Sequence, residues 1–169
     1  MIEVGILTIS DRSARGERAD DSGPAIHEMI EHELGAHVAE YKIVPDDLDE
    51  IAAVLASWSD KLNLDLILTT GGTGFTLRDV TPEATLKVIE RRAPGIEEAM
   101  RAESMKHTVH AMLSRAVAGL RGQTIIINLP GSPTAVRENL AVILPVLPHA
   151  VRLLRGEAAD SDHRPDMHK

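Results

Sequence analysis

LTTGGTGFTLRDVTPEAT, residues 68–85, decides how this chain is read. It joins an apolar run ending at Thr70 to a helix start at Thr81-Pro82-Glu83, with Gly71, Gly72 and Gly74 and then Arg78 and Asp79 between them. A short apolar run that enters a glycine turn and leaves into a helix is the repeating unit of a parallel sheet. Threonine as cap, proline in the first turn and a first-turn carboxylate mark the start of that helix. The glycines let the backbone approach a ligand and aim several N–H groups into one concavity, which holds a phosphate without a cation. A turn that only needs positive φ uses the same residues. The chain has neither the phosphate-loop pattern ending in Lys-Ser/Thr nor G-x-G-x-x-G.

Working outward, the same alternation recurs. Residues 2–9 are nearly all apolar and lead into Ser10-Asp11-Arg12, as expected of a strand buried on both faces. Ile26, Met29, Ile30 and Leu34 then repeat at helical spacing, with Ser22 as cap, Pro24 in the first turn and Gly35 as stop. Val38, Tyr41 and Ile43 read as a second strand. Asp47 and Glu50 form a capping-box pattern before Leu48, Ile51, Leu55, Trp58 and Leu62. Beyond the glycine turn, Ala93-Pro94-Gly95 separates two helices, the second over 96–107. Residues 117–120 and 124–129 predict an antiparallel strand pair around Arg121-Gly122. A helix follows over 134–144, and a last one ends near Arg155. Its stripe Leu140, Ile143, Leu144, Leu147 and Val151 reads as core or subunit interface.

The expected fold is therefore α/β: three αβα layers around a mostly parallel sheet with a late antiparallel pair. One domain covers residues 1–155, and the polar stretch 156–169 is expected to be a mobile tail.

Composition narrows the chemistry. Without cysteine there is no disulfide, thiolate metal site or thiol nucleophile. A formal charge of −8 and one residue each of Phe, Tyr and Trp argue against nucleic-acid binding. No apolar run spans a membrane and the start lacks a basic flank, so a cytoplasmic protein is expected. The histidines show no metal spacing and read as surface or structural residues, and Ser114-Arg115 has no nucleophile-elbow context.

Ligands in such sheets gather outside the carboxyl ends of the strands. That rule selects Ser10 to Arg12, the turn from Val44 through Pro45 to Asp46 and Asp47, Gly71 to Asp79, and Pro130 to Ser132. Asp46 and Asp79 leave different strands and could meet at one rim. Such a pair suits Mg²⁺, which takes one or two carboxylates together with substrate phosphates. Equally, Asp46 or Asp47 serves as a helix cap and Asp79 as a turn stabiliser. Arg78 is placed to pair with Asp79, to meet a phosphate, or to lie on the surface.

Taken in order, GILTISD, the VPDD turn, TTGGTGFTLRDVTPEAT, SMKHTVHAMLSRAVAGLRG and IINLPGSP resemble the molybdenum-cofactor biosynthesis family that adenylylates molybdopterin. The resemblance covers nearly all of residues 2–155. Leu77 stands where many members have proline, and Ser132-Pro133 where Asn-Pro or Gln-Pro is also familiar. ILPVLPHAVRLL is most similar to the matching domain of the family's plant and animal fusion proteins.

The resemblance implies transfer of AMP from Mg-ATP to the terminal phosphate of molybdopterin. It makes Asp46 and Asp79 the essential, Mg²⁺-holding aspartates and Gly71, Gly72, Thr73 and Gly74 the phosphate loop. Arg78 joins the nucleotide side, with the nucleotide pocket near Ser10, Asp11 and Pro45. Ser114 and Arg115 fall on the pterin side, and Pro130, Gly131 and Ser132 form another wall. It further implies a homotrimer, with hexamers in one branch, and a separate molybdenum-insertion protein as partner. A pterin carrier or scaffold and a nucleotide-pyrophosphate hydrolase remain open as alternatives.

Overall fold

The computed structural model describes residues 1–157. The first strand, β1 (Glu3–Ile9), is followed by a single turn of helix, α1 (Asp11–Ala14), and after a loop by α2 (Ser22–Met29). Strand β2 (His37–Val44) and helix α3 (Leu48–Asp60) come next, then β3 (Leu66–Thr70) and α4 (Thr81–Val88). A two-residue strand β4 (Arg91–Arg92), helix α5 (Pro94–Met105), the hairpin β5 (Ala118–Arg121) and β6 (Thr124–Leu129), and helices α6 (Pro133–Ile143) and α7 (Leu147–Leu154) complete the chain.

The sheet runs in the order β2-β1-β3-β6-β5-β4. Its first four strands are parallel, and β5 and β4 pair antiparallel. The expected late pair is present, and β4 extends it beyond what the sequence indicated. Alternate residues of the central strands feed two cores. Val4, Ile6, Leu66, Leu68, Ile125 and Ile127 meet α2, α5, α6 and α7 on one face. Leu7, Ile67 and Ile126 meet Ile51, Leu55 and Trp58 of α3 and Ala84 of α4 on the other. The stripe from Leu140 to Val151 is buried in the first of these cores.

Several local expectations change. The helix expected over 22–34 is α2 continued by a wider π-helical turn (Ile30–Leu34), and Gly35 ends it at φ 62°. Ser22 and Thr81 are not caps: both lie inside their helices, and their hydroxyls donate to the carbonyls of Gly131 and Gly71 instead. Asp47 does cap α3, accepting from the Glu50 amide at 2.8 Å. The helix expected from Ile96 begins at Pro94, and a 3₁₀ turn (Val109–Leu113) follows it. Most of the expected tail, with His163 and His168, lies outside the described residues.

Candidate active site

Register levels the strand ends. Ile9 stands opposite Val44, Thr8 opposite Thr70 and Thr70 opposite Leu129, so the loops after β1, β2, β3 and β6 leave one rim. They enclose a cleft of about 390 Å³.

The glycine turn shapes the floor. Gly71 and Gly72 have φ of 94° and 68°, and a Cβ on either would run into the Ile9 carbonyl or the Thr81 hydroxyl. No other residue fits there at low cost. Thr81 closes the turn, its amide donating to the Gly72 carbonyl at 3.1 Å and its hydroxyl to the Gly71 carbonyl at 2.9 Å. The amides of Gly72, Thr73 and Gly74 have no hydrogen-bond acceptor among the described residues.

Two aspartates line the cleft with Gly71 and Gly72, Asp46 from the turn after β2 and Asp79 from the loop before α4. Asp46 is fixed by a reciprocal pair: its Oδ2 accepts from the Asp11 amide at 2.9 Å, and its own amide donates to Asp11 Oδ1 at 3.0 Å. Arg78 does not reach Asp79. It grips Asp11 through Nε and Nη2 at 2.9 Å each, which holds the Asp11 carboxyl below its ordinary value. Burial pushes the Asp46 carboxyl up, and the nearby Asp11 and Asp79 charges add to that. Asp79 Oδ2 accepts from the amide and hydroxyl of Thr76 at 2.9 and 2.8 Å, so it stabilises its turn as well as facing the cleft.

The remaining candidates divide. Ser10, Gly131 and Ser132 line the cleft. Ser10 caps α1, accepting from the Ser13 amide at 3.2 Å, and Ser132 caps α6. Asp11, Pro45, Thr73, Gly74, Arg78 and Pro130 are not among the residues that line it. Pro130 is tied in by the Thr70 hydroxyl, which donates to its carbonyl at 2.7 Å. Ser114 and Arg115 lie outside the cleft. Arg115 holds the glycine loop from behind, donating to the carbonyls of Gly74 and Asp79 at 2.8 Å each and pairing with Glu83.

The structure adds a wall that sequence reading missed, the loop between α1 and α2 with Arg18, Ala19, Asp20 and Asp21. Asp20 anchors it. One carboxylate oxygen accepts from the amides of Ser22 and Gly23 at 3.1 Å each, the other from the Thr8 hydroxyl at 2.7 Å and from the Tyr41 hydroxyl. Such a loop has no periodicity. Its only trace was the run of Asp20, Asp21 and Ser22 ahead of a helix.

Among the described residues no three His, Asp or Glu side chains are grouped to hold a metal by themselves. Asp46 and Asp79 fit Mg²⁺, which keeps waters and substrate oxygens in most of its coordination sites.

A family model described as a probable molybdopterin binding domain matches residues 5–149. The chain belongs to this molybdopterin-binding family. It is 45% identical over 156 residues to a molybdopterin adenylyltransferase of Helicobacter pylori, spanning 92% of this chain and 89% of that protein. It is 47% identical over 175 residues to gephyrin of Dictyostelium discoideum, spanning 98% of this chain but only 24% of gephyrin. The molybdopterin biosynthesis enzyme MoaB of Thermus thermophilus has the same fold, with a TM-score of 0.87 at 51% identity and coverage of 92% of this chain and 98% of that one.

Proposed function

We propose that this chain is a molybdopterin adenylyltransferase. The observation that supports it best is the convergence of Asp46, Asp79 and Gly72, whose amide is unpaired, on one polar cleft. Relatives bearing that name across 89% of their length support it further.

In this reaction a terminal phosphate oxygen of molybdopterin attacks the α-phosphorus of ATP. The bond from that phosphorus to the β-bridging oxygen breaks, and pyrophosphate leaves with the electron pair. A phosphate monoester with a second pKa of about 6 is already ionised at neutral pH, so no general base is needed. This suits a cleft without cysteine or histidine on its wall. The Gly72 amide is available to bind a phosphate oxygen in the cleft, and Arg115 and Thr81 keep that turn in shape. Asp46 and Asp79 would hold Mg²⁺, which neutralises polyphosphate charge when bound. No helix of the described residues is long and apolar enough to cross a membrane. The accompanying assembly is a homotrimer in the cytoplasm, read out by light scattering on the purified chain.

The test is pyrophosphate release from Mg-ATP with and without molybdopterin, under anaerobic conditions, for the native chain and Asp79→Ala. We expect release that requires molybdopterin and falls at least about 100-fold in the variant, while molybdopterin affinity changes by less than about threefold. Pterin binding without any release would replace this reading with a carrier.

A further inference from the structure

Four aspartates line the cleft, Asp20, Asp21, Asp46 and Asp79, and Arg18 is the one Lys or Arg among the lining residues. Three nearby arginines are committed. Arg78 grips Asp11, Arg115 holds the glycine loop, and Arg15 binds Glu17 through two bonds of 3.0 Å. Arg18 is exposed and makes no hydrogen bond or ion pair among the described residues.

Its position is set by its flanks. Before it the chain turns back, with the Gly16 amide donating to the Ser13 carbonyl at 3.1 Å and the Glu17 amide to the Arg12 carbonyl at 2.9 Å. After it Asp20 is pinned by the Ser22 and Gly23 amides and the hydroxyls of Thr8 and Tyr41. Only Arg18 and Ala19 lie between these fixed points, and both line the cleft.

An arginine that lines a cleft with four aspartates yet pairs with none is available to an anion from outside. Its planar fork matches two oxygens of a phosphate. The need is electrostatic, because a phosphate entering between four carboxylates meets repulsion that amide dipoles only partly offset. Arg18 supplies a formal positive charge on that wall.

We infer that Arg18 is a substrate-binding residue of this cleft, contacting a phosphate of ATP or of molybdopterin. The identity of those substrates rests on the proposed function. Because the side chain is exposed and unpaired, Arg18→Ala removes no internal bond and is expected to fold normally.

The experiment measures binding of Mg-ATP and of molybdopterin separately by calorimetry, and then KM and kcat, for the native chain, Arg18→Ala and Arg18→Lys. Loss of one charged hydrogen bond predicts about tenfold weaker binding of one substrate, with kcat changed much less and partial recovery in the lysine variant. Weakening of Mg-ATP alone assigns Arg18 to the nucleotide, and weakening of molybdopterin alone assigns it to the pterin phosphate. Unchanged affinity for both, or a fall in kcat alone, overturns the inference. Arg18-dependent binding by a chain that releases no pyrophosphate would overturn the adenylyl reading and leave this one standing.

Discussion

Asp46 carries opposed demands within one side chain. Its carboxyl is raised above the ordinary 3.8 by burial first and by neighbouring carboxylates after that. An acid whose pKa rises on folding favours the folded state while protonated. That contribution is complete below 3.8 and is lost as pH climbs through the raised value. At neutral pH the ionised Asp46 therefore strains the fold that positions it. Asp46→Asn keeps an acceptor for the Asp11 amide and removes the charge. We expect its melting temperature at pH 7 to exceed that of the native chain by about 2 °C, the difference closing as pH is lowered toward the ordinary aspartate range. Pyrophosphate release should be lost in the same variant. A lower melting temperature at pH 7 would mean that the amide bond outweighs the charge. The sequence located Asp46 at the rim, and although the capping-box pattern favoured Asp47, spacing alone left either aspartate able to start the helix. The bond from the Glu50 amide makes Asp47 the helix cap, and Asp46 lines the cleft with its carboxylate tied to the Asp11 amide.

Elements are where the glycine and arginine positions act. Gly5 sits in β1 because Trp58 of α3 lies over it, and a Cβ there would stand 2.6 Å from the indole Cε3. Gly5→Ala should lower stability by roughly 1–3 kcal/mol through overpacking, measured by denaturant unfolding, with little change in the cleft. Arg115 works the other way. It reaches two carbonyls and Glu83 at once, a span a lysine does not reproduce. Arg115→Lys should cut kcat/KM by about tenfold or more while the protein stays folded, seen by steady-state assay beside circular dichroism. Helices and strands were legible because their apolar spacing is local. Thr81 and Ser22 misled because a hydroxyl ahead of a helix looks the same whether it caps that helix or ties it to a carbonyl in a loop at a strand end, and the choice depends on partners 10 and 109 residues away.

For the whole molecule, the parallel order was enough to bring four loops to one rim before any coordinate was known. The fifth loop was not legible, since Asp20 finds Tyr41 across 21 residues with no pattern between them. The same holds for Arg155, which closes the end of α7 onto Asp65 at 2.9 and 2.6 Å, while Asp65 also accepts from the Glu3 amide at 2.8 Å. The Tyr41 anchor has an optical use. The chain holds one tyrosine and one tryptophan, the first bonded to Asp20 of the cleft wall and the second in the core on the α3 face. Burial of the phenol and then the Asp20 carboxylate raise Tyr41 from 10.0 to about 12. Ultraviolet absorbance should thus show a single phenolate transition near pH 12 that moves down toward 10.0 in Asp20→Asn, while indole emission stays constant. Two chromophores, one on each side of the sheet, let ligand entry and core melting be watched in separate colours without attaching a label.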